Sequence, residues 1–487
     1  MSLNYKAALH IIGGLLTIFA IVFMLPALVS LIYKEFDNFI IFVFISICMT
    51  ITGLILRKTT LNDKGVLGIR EGLFVVSTTW IIMTLIGAIP FMVSGDIPGF
   101  YDAIFETASG LSTTGATVLE NIESLSKGML FWRSLTHWLG GMGVLFLVIA
   151  LIPILYQGKS NIALESTGPT MEKSSSKMAD TAIQLYAIYF GLTIIQIILL
   201  CIGGMSLYDS AIHTFGSVGT GGFSNYGDSI AHFDSLYIEL VIVLFMYLCG
   251  ISFNLYFLAL RRGPKMIIKN AEFRLYTYII IVATLAIAFD LIIEGGYSHI
   301  GDTLRDSLFQ VVSIITTTGY ATEDFNQWPQ FAKAVLLCLF FTGGCASSTA
   351  GGVKVYRILV LFRLVKRSIH IRLHPNAIIN VNVQNKRINN DVVSNVTSFL
   401  LLYLSVLCIG MMLISFDNFG FTTNLTAAAS CLGNVGPGFG LIGPMNTYNI
   451  FSGWSKIILS ILMIAGRLEL YTFLAVFTPH FWNPDRY

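Results

Sequence analysis

Four short stretches of this chain carry one arrangement of hydroxyl, amide and glycine residues: Thr113-Thr114-Gly115, Thr220-Gly221-Gly222, Thr317-Thr318-Gly319 and Asn434-Val435-Gly436. Thirteen positions before each final glycine stands Asp102, Asp209, Asp306 or Thr423, and six before it a small residue, Ser109, Gly216, Ser313 or Ser430. Asp and Thr cap helix N-termini, so the spacing predicts a capped helix of three turns that opens into a glycine loop. The chemistry on offer is that of the backbone. Glycine admits angles that let carbonyl groups turn to a common side. Rings of carbonyl oxygens replace the hydration shell of a cation without adding fixed charge. The C-terminal end of each short helix contributes its negative dipole end, and the hydroxyls of Thr113, Thr114, Thr317 and Thr318 can brace the loops or add ligands. In the second copy the spacing from Asp209 selects Gly222, with Gly219 as the fallback. The fourth copy is the divergent one.

The elements that would hold these loops are read from hydropathy. The chain has 487 residues, 55% hydrophobic and only 11% charged, with a mean hydropathy of +0.75, against about a quarter charged in an ordinary soluble protein. Apolar runs of about 20 residues or more, enough to span a bilayer, fall near 7–33, 37–56, 72–94, 129–156, 180–204, 235–260, 273–293, 331–364, 392–415 and 455–478. The first is too long for a signal-peptide core and reads as a retained helix. After the first pair, the order helix, short helix, glycine loop, helix recurs four times in the same direction. The expected fold is therefore an all-α polytopic membrane protein: an N-terminal helix pair over 1–70, then tandem repeats over 71–160, 161–264, 265–375 and 376–487 around one pore.

Lys and Arg are biased to one set of loops, including Arg57, Lys58, Lys64, Lys159, Lys173, Arg261, Arg262, Arg363, Lys366 and Arg486. The opposite set holds only Lys34, Lys127, Arg133, Arg305, Lys333 and Lys456. The positive-inside rule puts the first set and both termini in the cytoplasm, and all four glycine loops then enter from outside. The positive charges are too dispersed for a nucleic-acid surface. The seven cysteines lie in apolar stretches with no CxxC pair, which argues against a disulfide framework or a metal site. The longest polar connections, 157–179 and 366–390, are too short for a second domain, so any nucleotide-sensing module must be a separate chain.

One spanning run is interrupted. After Phe341 comes Thr342-Gly343-Gly344-Cys345-Ala346-Ser347-Ser348-Thr349-Ala350-Gly351-Gly352, a stretch that cannot form a lipid-facing helix. Irregular backbone at membrane depth is tolerated only when buried or lining a cavity, so this segment reads as a movable loop, a gate below the carbonyl rings; the alternative is a static kink. Arg467 is read as lying within the last spanning helix, where a charge is costly. It is expected either to project into the path and raise the barrier to a cation, or to pair with a carboxylate on another helix. Lys354 is expected to snorkel to the interface. Glu106, whose counterparts are His213, Gln310 and Ala427, reads either as a cation attractor or as a brace for its loop. His137, His213, Asp290 and Glu294 are too scattered for a proton relay. A hydrolase using Ser347 or Ser348 would need a base beside the nucleophile, and no His or Lys stands at helical spacing except Lys354, six or seven positions on.

With these residues in view, the whole chain resembles the TrkH branch of the TrkH/TrkG/KtrB superfamily of potassium transporters. The resemblance is carried by Glu106–Thr117, Gly221-Gly222-Phe223-Ser224, Thr317-Thr318-Gly319-Tyr320 and Asn434-Val435-Gly436-Pro437-Gly438. It also rests on Trp138-Leu-Gly-Gly-Met-Gly143, Gly343–Thr349 and Gly466-Arg467-Leu468-Glu469. It implies K⁺ (or Rb⁺) as the bound substrate at the four loops, no cofactor in this chain, and no enzymatic activity. It further implies a homodimer in the bacterial inner membrane and a cytosolic nucleotide-binding subunit of the TrkA type. Glycine at 115 implies selectivity for K⁺, since related plant transporters with serine there pass Na⁺. Gated conduction is the first expectation; symport with H⁺ or Na⁺ is the alternative.

Overall fold

The computed structural model describes residues 3–60, 68–156, 175–294, 299–375, 380, 382–383 and 386–482. The structure is almost entirely helical. In chain order the helices are α1 (Tyr5–Ile32), α2 (Phe36–Thr59), α3 (Ile69–Ser94), α4 (Phe100–Leu111), α5 (Lys127–Tyr156), α6 (Ser175–Ile202) and α7 (Leu207–Gly219). There follow α8 (Leu236–Cys249), α9 (Phe253–Arg262), α10 (Lys265–Lys269), α11 (Ala271–Ile293), α12 (Ile300–Ile315) and α13 (Gln330–Phe340). The last are α14 (Val355–Leu373), α15 (Asn390–Ile414), α16 (Phe421–Gly433), α17 (Gly453–Arg467), α18 (Leu470–Ala475) and α19 (Pro479–Trp482). Much of the 366–390 connection is ordered secondary structure: α14 runs to Leu373, and two-residue strands β1 (Asn382–Val383) and β2 (Lys386–Arg387) pair antiparallel. Most of the 157–179 connection, with Lys64, Lys159, Lys173 and Arg486, lies outside the described residues.

Six described helices are long and apolar enough to cross a membrane, near α1, α2, α3, α6, α11 and α15. Their outward faces carry exposed Ile21, Ile47, Ile198, Phe289 and Leu401, as lipid-facing surfaces do, so the protein is a polytopic membrane protein. α1 and α2 approach backbone to backbone at Gly13 and Gly53, where a Cβ on either would strike the other's carbonyl. Such small-residue contacts let membrane helices pack closely. Phe23 of α1 and Phe42 of α2 then wrap Trp132 of α5, with Phe23 centred 4.3 Å from it. The two chain ends lie together: Tyr5 stacks on Trp482, and both meet Phe74 at the start of α3.

The short helices α4, α7, α12 and α16 stand where the spacing placed them, but not with the expected caps. The N-caps are Gly99, Ser206, His299 and Gly420. Asp102, Asp209 and Thr423 sit three residues inside, where Asp still favours the positive end of the helix dipole. Asp306 is two turns in, because α12 starts a turn earlier. Breaks are also more numerous than expected. The run 235–260 bends by 85° between α8 and α9, and the run 455–478 breaks at Leu468–Glu469, with Glu469 at φ +55°. Only the break at 342–352 was expected from composition.

Candidate functional site

Each of the four short helices ends in the same hydrogen-bonded turn. In the first copy Thr114 N–H donates to the carbonyl of Ser109 at 2.9 Å and Thr113 N–H to that of Gly110 at 3.1 Å. Gly221 on Gly216, Thr318 on Ser313 and Val435 on Ser430 repeat the first bond at 2.7, 2.9 and 2.9 Å. This paired closure is a Schellman termination, which requires a left-handed residue just past the helix, usually glycine. Here that residue is Thr113, Thr220, Thr317 or Asn434, at φ +56°, +57°, +55° and +55°. A β-branched residue in that region is an outlier, of the strained kind that surrounding structure must hold in place. Two residues on, Gly115, Gly222, Gly319 and Gly436 are left-handed again, at φ +82°, +82°, +82° and +103°. Gly219 ends α7, so the fallback is set aside.

The four loops close into a ring. A Cβ on Gly115 would run into the carbonyl oxygen of Gly221, one on Gly222 into that of Thr318, one on Gly319 into that of Val435, and one on Gly436 into that of Thr114. Each glycine thus faces the carbonyl that precedes the glycine of the next copy, and the fourth returns to the first. Thr113, Thr114, Thr220, Thr317, Thr318, Asn434 and Val435 are fully buried around it. Side chains brace the ring: Asn434 Nδ2 donates to Thr114 Oγ1 at 3.1 Å and to the Met463 carbonyl at 2.9 Å. Tyr448 OH donates to the Gly436 carbonyl at 2.8 Å, and Tyr320 OH reaches the carbonyls of His213 and Phe223.

Glu106 is a brace. It is 1% exposed and accepts from Thr117 Oγ1, from Val118 N–H at 3.0 Å and from Arg133 Nε at 2.6 Å. Arg133, counted above among the loop charges, is instead 2% exposed. It lies 3.5 Å over the Phe223 ring and donates to the Ser224 carbonyl at 2.9 Å, and so ties the first loop to the second. The signal available in the sequence was a lone Arg inside an apolar run, with one buried acid, Glu106, to meet it. Removing one partner of a buried pair costs about 3–5 kcal/mol. Glu106→Gln should therefore unfold at a clearly lower temperature than wild type in detergent, while the exposed Asp37→Asn should not; equal midpoints would show that the pair holds nothing. His137 bonds the Gly110 carbonyl, and His213 bonds the Asp209 carbonyl and Ser224 Oγ. Asp290 accepts from Ala332 N–H. His137 Nε2 has no partner among the described residues, and the bonds these groups make link none of them into a chain.

Beneath the ring, the segment Thr342–Gly352 is almost wholly buried and is pinned by complementary breaks. The bend between α8 and α9 frees the carbonyls of Cys249 and Gly250 and the N–H of Phe253. Thr349 Oγ1 bonds the first at 3.3 Å, Cys345 N–H the second at 2.9 Å, and the Ser347 carbonyl accepts from Phe253 at 3.0 Å. Buried backbone groups must find partners, and each break supplies them to the other. Glu272 of α11, not singled out from the sequence, accepts from Ala346 N–H at 2.6 Å. Gly343, Ser347, Gly352 and Lys354 are left-handed, and Gly344 packs against Ala350 and the Gly250 carbonyl. Ser348 Oγ donates to the Cys345 carbonyl at 2.6 Å, an ordinary turn bond. Gly351 N–H donates to Thr317 Oγ1 at 2.6 Å, which joins this segment directly to the ring.

Arg467 is the last residue of α17 rather than mid-helix, and among the described residues it pairs with no carboxylate. It is 4% exposed and donates to the Thr349 carbonyl at 2.5 Å and the Gly140 carbonyl of α5 at 2.9 Å. Glu469 instead takes Arg357 of α14 at 2.5 Å, a pair the sequence reading missed. Lys354 does not snorkel; its amine turns back onto the Ala350 carbonyl.

A bundle of apolar helices that folds four short helices inward onto one ring of carbonyls defines a pore-loop membrane protein. Residues 36–483 match the TrkH family model, described as a cation transport protein. The chain is 34% identical to the Trk system potassium uptake protein TrkH of Salmonella typhimurium, over 99% of this chain and all of that one. It is 32% identical to TrkG of Escherichia coli, over 99% of each chain. The crystal structure of the potassium transporter TrkH from Vibrio parahaemolyticus superposes with a TM-score of 0.90 at 32% identity, covering 99% of this chain and 100% of that one. The chain belongs to the TrkH family of cation transport proteins.

Proposed function

We propose that this chain carries K⁺ into the cell through the carbonyl ring, with Thr342–Gly352 and Arg467 as the gate beneath it. The observation that carries the reading is the cyclic contact of four left-handed glycines with four carbonyls at one level. Such a ring offers a dehydrated cation oxygen ligands from all sides, and the negative ends of α4, α7, α12 and α16 converge on it. The backbone of Thr114, Gly221, Thr318 and Val435 supplies the oxygens, and Thr113, Thr220, Thr317 and Asn434 hold the turns that aim them. K⁺ is the substrate; the filter is its only proposed binding site at the ring, and no cofactor acts in this chain. The gate reading rests on the bond from Gly351 to Thr317 and on a guanidinium lodged between the loop and α5. A positive charge there opposes a cation until the loop moves.

The wider assembly follows the family: a homodimer in the cytoplasmic membrane, both termini inside, regulated by a nucleotide-binding subunit of the TrkA type. The likeness to potassium uptake proteins over the full length supports K⁺ as the ion. Purified protein in liposomes should take up K⁺ and Rb⁺ in preference to Na⁺, with a current that reverses at the K⁺ equilibrium potential regardless of pH or Na⁺. A reversal that tracks the H⁺ or Na⁺ gradient would establish symport instead. Flux of Na⁺ equal to that of K⁺ would defeat the selectivity reading.

A further inference from the structure

The Asp that stands thirteen residues before the ring glycine in the first three copies has a different fate in each. Asp102 is tied to Lys456. Asp209 accepts from Ser206 Oγ and from Asn225 Nδ2 at 3.0 Å. Asp306 is 7% exposed, yet among the described residues it accepts no hydrogen bond and has no ion-pair partner within 4 Å. Its neighbour Arg305 is occupied, forking onto Glu239 of α8. Asp306 lines a cavity of about 320 Å³ together with Asp234, Glu239, Asp302, Arg305 and Glu323. Five carboxylates thus share one guanidinium. Thr322, whose buried hydroxyl also has no partner among the described residues, completes the wall.

The cavity shares part of its wall with the segment that leaves the third ring loop. Thr322 and Glu323 follow Gly319 by three and four residues. The side chain of Gln310, one turn after Asp306 on α12, holds their backbone: with its amide oxygen turned toward the loop it accepts from Thr322 N–H at 3.0 Å.

We infer that the Asp306 cavity, between the second and third copies, is an antechamber that collects hydrated monovalent cations and delivers them to the ring. This rests on the permeation reading above. Among the described residues no three His, Cys, Asp or Glu side chains converge closely enough to hold a metal ion, so the carboxylates act on a cation through its water shell. A cleft lined by one sign of charge raises the local counter-ion concentration and the on-rate, and salt screens the effect. The antechamber therefore sets the half-saturating concentration and leaves the maximal rate to the ring and gate.

The test is K⁺ uptake by the full-length chain in liposomes, comparing wild type, Asp306→Asn/Glu323→Gln and the distant Asp37→Asn. At low ionic strength the double variant should need about threefold to tenfold more K⁺ for half-maximal uptake, with the maximal rate unchanged. At about 1 M of an impermeant organic-cation salt the difference should vanish. Asp37→Asn should match wild type throughout. Should the double variant fail to reach the membrane, Glu323→Gln alone should show a smaller rise of the same sign. Unchanged half-saturation at low ionic strength, or a rise that persists at high ionic strength, overturns the antechamber and leaves the permeation reading intact. A wild-type chain that takes up no K⁺ sinks both.

Discussion

In Gly222→Ala, K⁺ uptake should fall about a hundredfold while the protein still inserts into the membrane as wild type does. The argument is local. Gly222 holds φ +82°, where an L side chain is strained by about 1–3 kcal/mol, and its Cβ would collide with the Thr318 carbonyl of the next copy. That oxygen is not the end of a flexible side chain and cannot swing aside. The ring must open at one joint, and one oxygen of the cation's coordination is lost. A barrier raised by about 3 kcal/mol corresponds to roughly two orders of magnitude in rate. The control is Gly14→Ala in α1, where an added Cβ meets nothing. Isotope uptake in liposomes, with Na⁺ as competitor, reads both rate and selectivity. Wild-type uptake with intact selectivity would remove Gly222 from the filter.

In Arg467→Ala, uptake without any regulator should rise about tenfold. The guanidinium holds the Thr349 carbonyl on one side and the Gly140 carbonyl on the other. Hydrogen bonds from charged groups contribute about 1.5–3 kcal/mol each, so losing both lowers the cost of moving the loop by more than the ~1.4 kcal/mol that a factor of ten requires. The loop stays folded, because Thr317, Glu272 and the Gly250 carbonyl still hold it. Arg467→Lys separates the two contributions: lysine keeps the charge but lacks the planar fork that spans two carbonyls. Lysine matching wild type assigns the barrier to charge; lysine matching alanine assigns it to the bridge. Flux unchanged in a folded Arg467→Ala protein would show that Arg467 is no barrier.

Much of this was legible in the chain. The ring was readable because its determinants are local: a short helix, a small residue whose carbonyl closes the turn, and a glycine at fixed distance. The spacing even chose Gly222 over Gly219. The loop at 342–352 was readable because four glycines and four hydroxyl residues break a helix wherever they fall. The caps were misread because Asp stabilises a helix start from N3 as well as from the cap itself, and spacing alone does not separate the two.

The rest was decided by contacts between distant segments. The bends after Cys249 and after Arg467 carry little local signal: one contains a single Gly-Ile-Ser, the other a Leu-Glu. They persist because the groups they free are bonded elsewhere, the Gly250 carbonyl by Cys345, some 95 residues on, and Glu469 by Arg357. Arg133 looked like a loop charge because nothing along the chain says that Glu106 and the Phe223 ring await it. Sequence by itself determined the four carbonyl loops and the apolar helices that carry them, since these follow from residue type at short range. Tertiary structure alone decided which carbonyl meets which glycine, which charges are neutralised, and that among the described residues Asp306 accepts no hydrogen bond, since electrostatic balance in a buried site is set by neighbours rather than by order along the chain.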